Sequence, residues 1–231
     1  MRTDLNERLA TELREWMPVG QRYLVALSGG RDSMALMHFL NVAGYRDLVL
    51  CHVNHCLRGE ESDGDEVLVK ETGEAMGLRV FSTRIGVKAI AEKRKLSIET
   101  AAREVRYSWF SEVARKEKCC RVVTAHHSED QVETVLINFF RGSGSRGISG
   151  MKCHSHRDVD GVELELFRPL LAVERERIDK YVEVNGIAFR EDSSNAEAFA
   201  LRNRVRHRLL PEVESIFGRN VRGAVLRAAE L

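Results

Sequence analysis

The stretch Leu24-Val-Ala-Leu-Ser-Gly-Gly-Arg-Asp-Ser33 decides how the rest of this chain is interpreted. Residues 23–27 form a short apolar run, which is typical of a strand buried on both faces. Ser28, Gly29 and Gly30 end that run, and apolar residues recur at helical spacing from Ser33 onward. A strand, a glycine turn and a helix start together favour anion binding. The glycines let the backbone approach a ligand, and the first N–H groups of the helix have no partner within it.

The turn is neither a Walker A loop nor a Gly-x-Gly-x-x-Gly dinucleotide fingerprint, because its glycine spacing fits neither pattern. Ser28-Gly-Gly-Arg-Asp-Ser33 instead resembles the Ser-Gly-Gly-x-Asp-Ser loop of the PP-loop ATP pyrophosphatases. That family cleaves ATP between its α and β phosphates. The alternative is a structural turn in which Asp32 or Ser33 is the helix N-cap.

Composition sets broad limits on the partners of the chain. Its 231 residues include 36 Lys+Arg against 35 Asp+Glu, so no strong overall field favours nucleic acid and any basic surface must be local. No apolar run approaches membrane-spanning length. Residues 1–18 are charged and amphipathic and lack the apolar centre of a secretory signal. We therefore expect no membrane partner.

The cysteines indicate a reducing compartment. There are five of them, so full internal pairing is impossible, and no Cys-x-x-Cys occurs. We expect a cytoplasmic protein without a disulfide framework. The cluster Cys51, His52, His55 and Cys56 looks like a zinc site, but no second pair at zinc spacing follows, so a structural zinc is disfavoured.

Strand-like and helix-like segments alternate along the chain. Apolar strand patterns occur at residues 23–27, 47–53, 78–85, 122–125 and 162–167. This alternation predicts an α/β fold with a Rossmann-like, doubly wound, mostly parallel sheet, and with a C-terminal helical extension. We expect residues 1–210 to form the PP-loop catalytic domain. Residues 211–231 are expected to begin a helical linker or C-terminal segment, and the sequence leaves open whether that segment is cut short.

Three segments carry finer expectations. Residues 152–160 are polar and predict an exposed loop, residues 188–189 predict a short strand, and residues 196–210 predict an arginine-rich helix that Pro211 ends.

Ligands of parallel sheets bind at the carboxyl ends of the strands. Ser28, His52 and His126 all follow predicted strands, so we expect the site at that edge.

Four further segments resemble one branch of the PP-loop family, the tRNA(Ile)-lysidine synthetases. Together with the loop they extend from Leu24 to Pro211 in the family's order. The segments are His52-Val-Asn-His55 with Leu57-Arg-Gly-Glu-Glu-Ser-Asp63, Glu104-Val-Arg-Tyr107, Thr124-Ala-His-His127 continuing to Arg141-Gly-Ser-Gly, and Arg202-Asn-Arg-Val-Arg-His207 with Leu209-Leu-Pro211.

The resemblance implies a two-step reaction. ATP adenylates the C2 oxygen of the wobble cytidine in an isoleucine tRNA with a CAU anticodon. Free L-lysine then displaces AMP through its ε-amino group and gives lysidine. The cofactors implied are ATP and Mg²⁺, the latter held through few protein carboxylates. A second copy of the chain is a further possible partner, and the sequence does not decide whether a homodimer forms.

The resemblance also implies roles for residues around the loop. Asp32, Arg106 and His126 are expected to be catalytic, with Asp32 as the Mg²⁺ ligand. ATP binding is assigned to Ser28, Gly29, Gly30, Arg31, Asp32, Ser33, His52 and Arg58. Each assignment has a structural alternative. Arg106 could form an ion pair on the helix surface near Glu99 and Glu104, and His126 could be a structural hydrogen-bonding residue at a strand end.

Asp130 and Glu133 lie one turn apart near a helix start and are the expected lysine-binding pair, since lysine is a cation. One of them could also deprotonate the attacking amine. The alternative is that they only stabilise the helix N-terminus. The expected tRNA-binding residues are Arg141, Arg146, Arg202, Arg204 and Arg206, whose alternative is a solvated charged face.

Other functions remain open. A tRNA-thiolating PP-loop enzyme would activate the base in the same way, but it usually has paired catalytic cysteines. An amidating ligase would need a source of ammonia. A catalytically incomplete fragment that binds ATP or tRNA is a third alternative. ATP–pyrophosphate exchange separates that fragment from an enzyme.

Overall fold

The structure is a computed structural model, and it describes residues 5–143, 148–191, 201–218 and 220–229. Helices and strands alternate through most of the chain, as predicted. The elements in chain order are α1 (Leu5–Trp16), β1 (Tyr23–Ala26), α2 (Arg31–Val42), β2 (Leu48–Asn54), α3 (Glu60–Met76), β3 (Arg79–Arg84), α4 (Val87–Arg94), α5 (Ile98–Glu117), β4 (Arg121–Val123), α6 (Ser128–Phe140), β5 (His154–Val159), β6 (Val162–Phe167), α7 (Arg175–Asn185), α8 (Leu201–Arg204), a π-helical turn (Val205–Leu209), α9 (Leu210–Phe217) and α10 (Val221–Ala229).

In the part of the chain that the structure describes, six strands form one sheet in the order β3-β2-β1-β4-β6-β5. Every neighbouring pair is parallel except β5 with β6. The predicted doubly wound, mostly parallel sheet is therefore confirmed. The strand order reverses between β1 and β4, and a crevice forms beyond the carboxyl ends of strands at such a switch point. The Ser28 loop follows β1, while His126 and His127 follow β4.

Alternate residues of the central strands pack on opposite faces of the sheet. Tyr23 and Val25 belong to a core that includes α1, α2, α3 and α7, and we call this side the α2 face. Leu24 and Val122 belong to a second core with Tyr107 and other residues of α5, and we call this side the α5 face. Both faces are covered, which explains why the strand sequences are nearly continuous apolar runs.

The loop expected at residues 152–160 is wrong, because His154–Val159 is the antiparallel edge strand β5. It pairs with β6 from His154↔Phe167 to Val159↔Val162. Only one side of this strand is hydrogen-bonded within the sheet, so its sequence lacks the apolar run that identifies the buried strands. The short strand expected at residues 188–189 is also wrong. A single parallel bridge joins Gly30 and Arg190 there.

Pro211 does not end the arginine-rich helix, which corrects a third expectation. The chain stays helical without a break from Leu201 through the π turn to Phe217, although residues 196–200 lie outside the described ranges. The Leu210 N–H bonds to the Val205 carbonyl, and Pro211 follows in the first turn of α9, where its missing N–H costs little. Val205 and Leu210 pack with Val132 of α6.

Within the described ranges, every helix is too short or too polar to span a lipid bilayer.

Candidate active site at the carboxyl edge of the sheet

The glycine turn after β1 is fixed by its own serines. The Ser28 hydroxyl accepts the Gly30 N–H at 3.2 Å, and the Ser33 hydroxyl donates to the Gly30 carbonyl at 2.9 Å. Gly29 has a φ of 87°, and a Cβ there would lie 3.1 Å from the Cβ of Asp65 on α3. Glycine is required at position 29 both for the backbone conformation and for this close approach.

Gly30 is the N-cap of α2, and none of the described side chains caps that helix. The alternative in which Asp32 or Ser33 is the cap is therefore wrong. Because no side chain occupies the helix start, its first N–H groups keep their capacity to bind an anion at the loop.

The Arg31 side chain lies toward α7 and away from the turn. Its Nη1 is 2.8 Å from Asp179 Oδ1 and its Nη2 is 3.0 Å from Glu191 Oε1. The guanidinium also lies 4.6 Å from the centre of the Phe189 ring. If Arg31 binds ATP, we therefore expect the contact from its backbone N–H.

Asp32 lies between α6 and α7. Its Oδ2 is 3.1 Å from Arg175 Nη1 and 3.7 Å from His127 Nε2. Its Oδ1 is buried and has no hydrogen-bond partner among the described residues. Burial raises the pKa of Asp32, and the charges of His127 and Arg175 oppose that rise. An unpartnered carboxylate oxygen fits a hard cation such as Mg²⁺, which takes oxygen ligands, so the role of Asp32 as magnesium ligand stays a prediction.

His127 begins α6 and lies among three carboxylates. Its Nδ1 is 2.8 Å from Glu129 Oε2, and its Nε2 is 3.5 Å from Asp130 Oδ2. Burial acts to lower the pKa of His127, but the hydrogen bond to Glu129 and the charges of Asp130 and Asp32 outweigh it and raise the pKa. Asp130 also accepts the His127 backbone N–H at 3.1 Å, so it does stabilise the helix start as the alternative proposed.

The pKa of His126 shifts in the opposite direction. Its Nδ1 is 2.8 Å from the Thr124 hydroxyl. Burial lowers its pKa to about 3, Arg168 and Arg106 act in the same direction, and the charge of Asp130 opposes them. The imidazole is therefore neutral at physiological pH. In the tautomer in which Nδ1 accepts from the Thr124 hydroxyl, the Nε2–H can donate to a phosphate oxygen.

Arg106 is half-buried in α5, and no carboxylate of the described residues pairs with it. The two acids expected as alternative partners are taken, since Glu99 is 3.0 Å from Arg202 and Glu104 is 2.6 Å from Arg94. Burial lowers the pKa of the Arg106 guanidinium. The helix-surface ion pair is therefore wrong, and a guanidinium without a counter-charge suits an incoming phosphate.

His52 lies within β2 and not past its end as expected, whereas Arg58 follows β2, and both side chains make structural contacts. His52 Nδ1 is 2.8 Å from the Leu27 carbonyl, while its Nε2 is buried without a partner in the described residues. Arg58 Nη2 is 2.6 Å from Asp65 Oδ2. Cys51 packs in the α5-face core, away from His52, so the zinc cluster considered at this strand end is not formed.

The carboxylate pair expected to bind lysine already holds cations. Glu133 is 1% exposed, with its Oε1 2.6 Å from Arg206 Nε, and its Oε2 lies 3.9 Å from Arg202 Nη1 without a hydrogen bond among the described residues. Asp130 Oδ1 is 3.7 Å from Arg206 Nη2 and 3.9 Å from Arg202 Nη1. Burial raises the pKa of Glu133, and Arg206 opposes that rise. Both carboxylates therefore face arginine side chains, and the role of the pair in binding lysine stays a prediction.

Two of the five arginines assigned to tRNA therefore face the carboxylates assigned to lysine. Arg202 Nε also pairs with Glu99 at 3.0 Å. Arg204 and Arg141 are exposed, and Arg146 lies outside the described residues. The role of these arginines in tRNA binding stays a prediction.

Sequence reasoning missed Arg175, His127 and Glu129. The backbone N–H of Arg175 donates to Glu129 Oε2 at 3.2 Å, so the two helix starts of α6 and α7 are joined beside Asp32. One signal could have identified Arg175. It is a basic residue in the first turn of α7, where the helix dipole disfavours a cation.

Comparison with known proteins places this geometry in a family. A family model described as the PP-loop domain matches residues 1–213. Proteins named tRNA(Ile)-lysidine synthase are similar to most of the chain. The one from Geobacter sulfurreducens is 42% identical over 212 residues, covering 91% of this chain and 43% of that protein. The one from Porphyromonas gingivalis is 37% identical and covers 100% of this chain and 49% of that protein. The chain thus spans about half the length of these relatives.

Solved structures support the fold alone. A U34-tRNA thiolase from Methanococcus maripaludis has a TM-score of 0.70 at 16% identity and covers 96% of this chain and 77% of that one. An NH3-dependent NAD synthetase from Campylobacter jejuni has a TM-score of 0.53 at 12% identity, over 98% of this chain and 90% of that one.

Proposed function

The chain belongs to the PP-loop domain family, and from this premise we propose that it carries the catalytic site of a tRNA(Ile)-lysidine synthase. The reaction joins lysine to C2 of the wobble cytidine in an isoleucine tRNA with a CAU anticodon, and it releases AMP and pyrophosphate. The observation that carries the proposal is the 37–42% identity to proteins of that name, over 91% or more of this chain.

The first step is adenylation of the cytidine. The C2 oxygen attacks the α-phosphorus of ATP, and the bond to the β-phosphate breaks. We assign the departing pyrophosphate to the N–H groups of the Ser28–Ser33 turn. Arg106 and the neutral His126 donate to the α-phosphate as negative charge develops. Asp32 would hold Mg²⁺, which supplies neutralisation of phosphate charge. The unpartnered Oδ1 of Asp32 and the unpaired guanidinium of Arg106 support these roles.

The second step replaces AMP by lysine. The ε-nitrogen of lysine attacks C2, the bond from C2 to the adenylate oxygen breaks, and AMP leaves. Lysine is protonated near neutral pH, so the protein must bind a cation and then accept its proton. We assign both tasks to Asp130 and Glu133. The raised pKa of Glu133 makes it the better base.

Lysine must compete with Arg206 for Glu133, since the two ions are 2.6 Å apart. We propose that tRNA phosphates draw Arg202 and Arg206 away from the carboxylates and so free them for lysine. Arg141, Arg146 and Arg204 would contribute further phosphate contacts.

Residues 1–210 are proposed as the catalytic domain and 211–231 as the start of a helical segment. A cytoplasmic location and a homodimer stay predictions.

The proposal is tested by mass analysis of isoleucine tRNA incubated with ATP, lysine and this chain. We expect an ATP-dependent mass increase at the wobble cytidine that moves with isotope-labelled lysine. A tRNA that incorporates sulfur in place of lysine would support the thiolating alternative. Pyrophosphate release without lysine incorporation would show adenylation only.

A further inference from the structure

Three arginines surround Tyr107 on the α5 face, and we call them the Tyr107 arginine cluster. The guanidinium carbon of Arg157 lies 4.2 Å from the centre of the Tyr107 ring, and that of Arg103 lies 5.1 Å from it. The phenol of Tyr107 lies beside the guanidinium of Arg168. Tyr107 is 2% exposed, so the ring acts as a buried support that holds two guanidinium groups by cation–π contact.

No carboxylate among the described residues forms an ion pair with any member of this cluster. Arg168 is 5% exposed, and its Nη1 donates to the Lys152 carbonyl at 2.7 Å and to the Ser155 hydroxyl at 2.9 Å. Its Nε is buried and unpartnered within the described part of the chain. A buried cation with only neutral partners is unfavourable, so the cluster is expected to be completed by an anion from outside.

The cluster lies within electrostatic reach of the candidate active site. The charges of Arg168, Arg106 and Arg103 all help to lower the pKa of His126. Arg168 directly follows β6, which pairs with β4, and His126 follows β4. The region of positive charge therefore continues from Arg106 and His126 toward the β5–β6 side of the sheet.

We propose that the Tyr107 arginine cluster binds phosphodiester groups of the RNA strand next to the nucleotide that is modified. This inference rests on the proposed function for its substrate class. Planar guanidinium groups match phosphate oxygens in pairs, which gives both affinity and orientation. The triphosphate of ATP is the other source of phosphate. It is disfavoured because the Ser28–Ser33 turn already offers an anion site at the start of α2, on the opposite face of the sheet.

The test uses the whole chain and a fluorescent anticodon stem-loop RNA with a CAU anticodon, without ATP or lysine. The variants are Arg103→Gln and Arg157→Gln. The matched control is Arg115→Gln, at the other end of α5, where the arginine donates to the Asp160 carbonyl and has no carboxylate partner in the described residues. Each variant removes one positive charge, so a general charge effect cancels.

We expect Arg103→Gln and Arg157→Gln each to weaken RNA binding by about 5- to 10-fold at about 100 mM salt, and to lower the slope of log affinity against log salt by about 0.7. Arg115→Gln should change affinity by less than about 2-fold. Thermal unfolding of each variant shows whether it is folded, and Arg157→Lys, which keeps the charge, should recover part of the affinity.

Three results would overturn the inference. The first is no measurable binding of the stem-loop by the unaltered chain. The second is equal binding by the cluster variants and Arg115→Gln. The third is lower ATP affinity with unchanged RNA affinity, which would assign the cluster to the triphosphate. A chain that binds RNA through the cluster but makes no lysidine would refute the proposed function and leave this inference standing.

Discussion

His126 and His127 are neighbours in sequence, but their pKa values shift in opposite directions. Burial, Arg168 and Arg106 lower the pKa of His126 to about 3 although Asp130 opposes them. His127 is also buried, yet Glu129, Asp130 and Asp32 raise its pKa. The start of α6 therefore lies between arginines that have no carboxylate partner among the described residues and a group of carboxylates, of which Asp130 acts on both histidines.

This difference indicates which substrate group each region suits. The arginines of this region have no carboxylate counter-ion in the part of the chain that the structure describes, which suits phosphates of ATP and RNA. Asp32, Asp130 and Glu133 have negative charge that the protein holds with Arg175, Arg202 and Arg206, and this suits Mg²⁺ and the lysine ammonium. The proposed reaction needs both kinds of site at one edge of the sheet.

The largest expected effect comes from the loop carboxylate. We expect Asp32→Asn to lower AMP formation by about 1,000-fold, the scale of a lost electrostatic stabiliser in a catalytic site. Asp179→Asn is the control, because Asp179 pairs with the same arginine, Arg175, at 3.1 Å but also binds Arg31 away from the turn. AMP formation is measured with tRNA, ATP and lysine present, and unfolding is followed by circular dichroism. Equal rates in the two variants would remove the role assigned to Asp32.

A second prediction concerns stability against pH in the arginine region. Burial, Arg106 and His52 lower the pKa of His55 to about 4. The unfolded chain takes up this proton near its ordinary pKa of about 6.5 whereas the folded chain does not. The neutral His55 therefore contributes in full to the free energy of unfolding above about pH 6.5. This contribution is lost as the pH falls toward 4, by about 2 kcal/mol between pH 6.5 and about 5.

Urea unfolding of the unaltered chain and His55→Asn at these pH values isolates this contribution. We expect the free energy of unfolding of the variant to fall less on acidification. Parallel pH dependence in the two proteins would show that His55 is not held neutral by its surroundings.

The smallest effect is expected from the cysteines. All five are free, with Cys56, Cys120 and Cys153 exposed and Cys51 and Cys119 buried. We expect a variant with serine at the exposed positions and alanine at the buried ones to keep lysidine formation within about 3-fold, since no redox pair is present to lose. Loss of turnover in a folded variant would support thiol chemistry and the thiolating alternative.

The fold could be predicted wherever residues near in sequence determine the structure. The apolar runs gave the five parallel strands, and Gly29 and Gly30 identified the turn. The edge strand β5 was not predicted because His154, His156 and Asp158 are polar and lack the apolar pattern of a buried strand. The helix end predicted at Pro211 was wrong because a π turn places this proline in the first turn of α9. The neighbouring residues in the sequence do not indicate that turn.

The roles assigned to the site residues stay predictions, and the sequence did not indicate which of these residues pair with one another. Asp130 and Glu133 face the same arginines, as their spacing indicates. Their partners Arg202 and Arg206 lie about seventy residues away, and only the folded chain brings them together. The arginines around Tyr107 come from α5, β5 and the end of β6, so no local pattern marks them as one cluster.

We claim chiefly that Arg106 acts in adenylation and that the carboxylate pair Asp130 and Glu133 acts in lysine transfer. The direct test measures tRNA-dependent pyrophosphate release and lysine incorporation in Arg106→Gln and Glu133→Gln. We expect Arg106→Gln to lose pyrophosphate release by about 100-fold or more, and Glu133→Gln to keep it while losing lysine incorporation to a similar extent. If Glu133→Gln lost pyrophosphate release as fully as Arg106→Gln, or incorporated lysine normally, the division between the two regions would be contradicted.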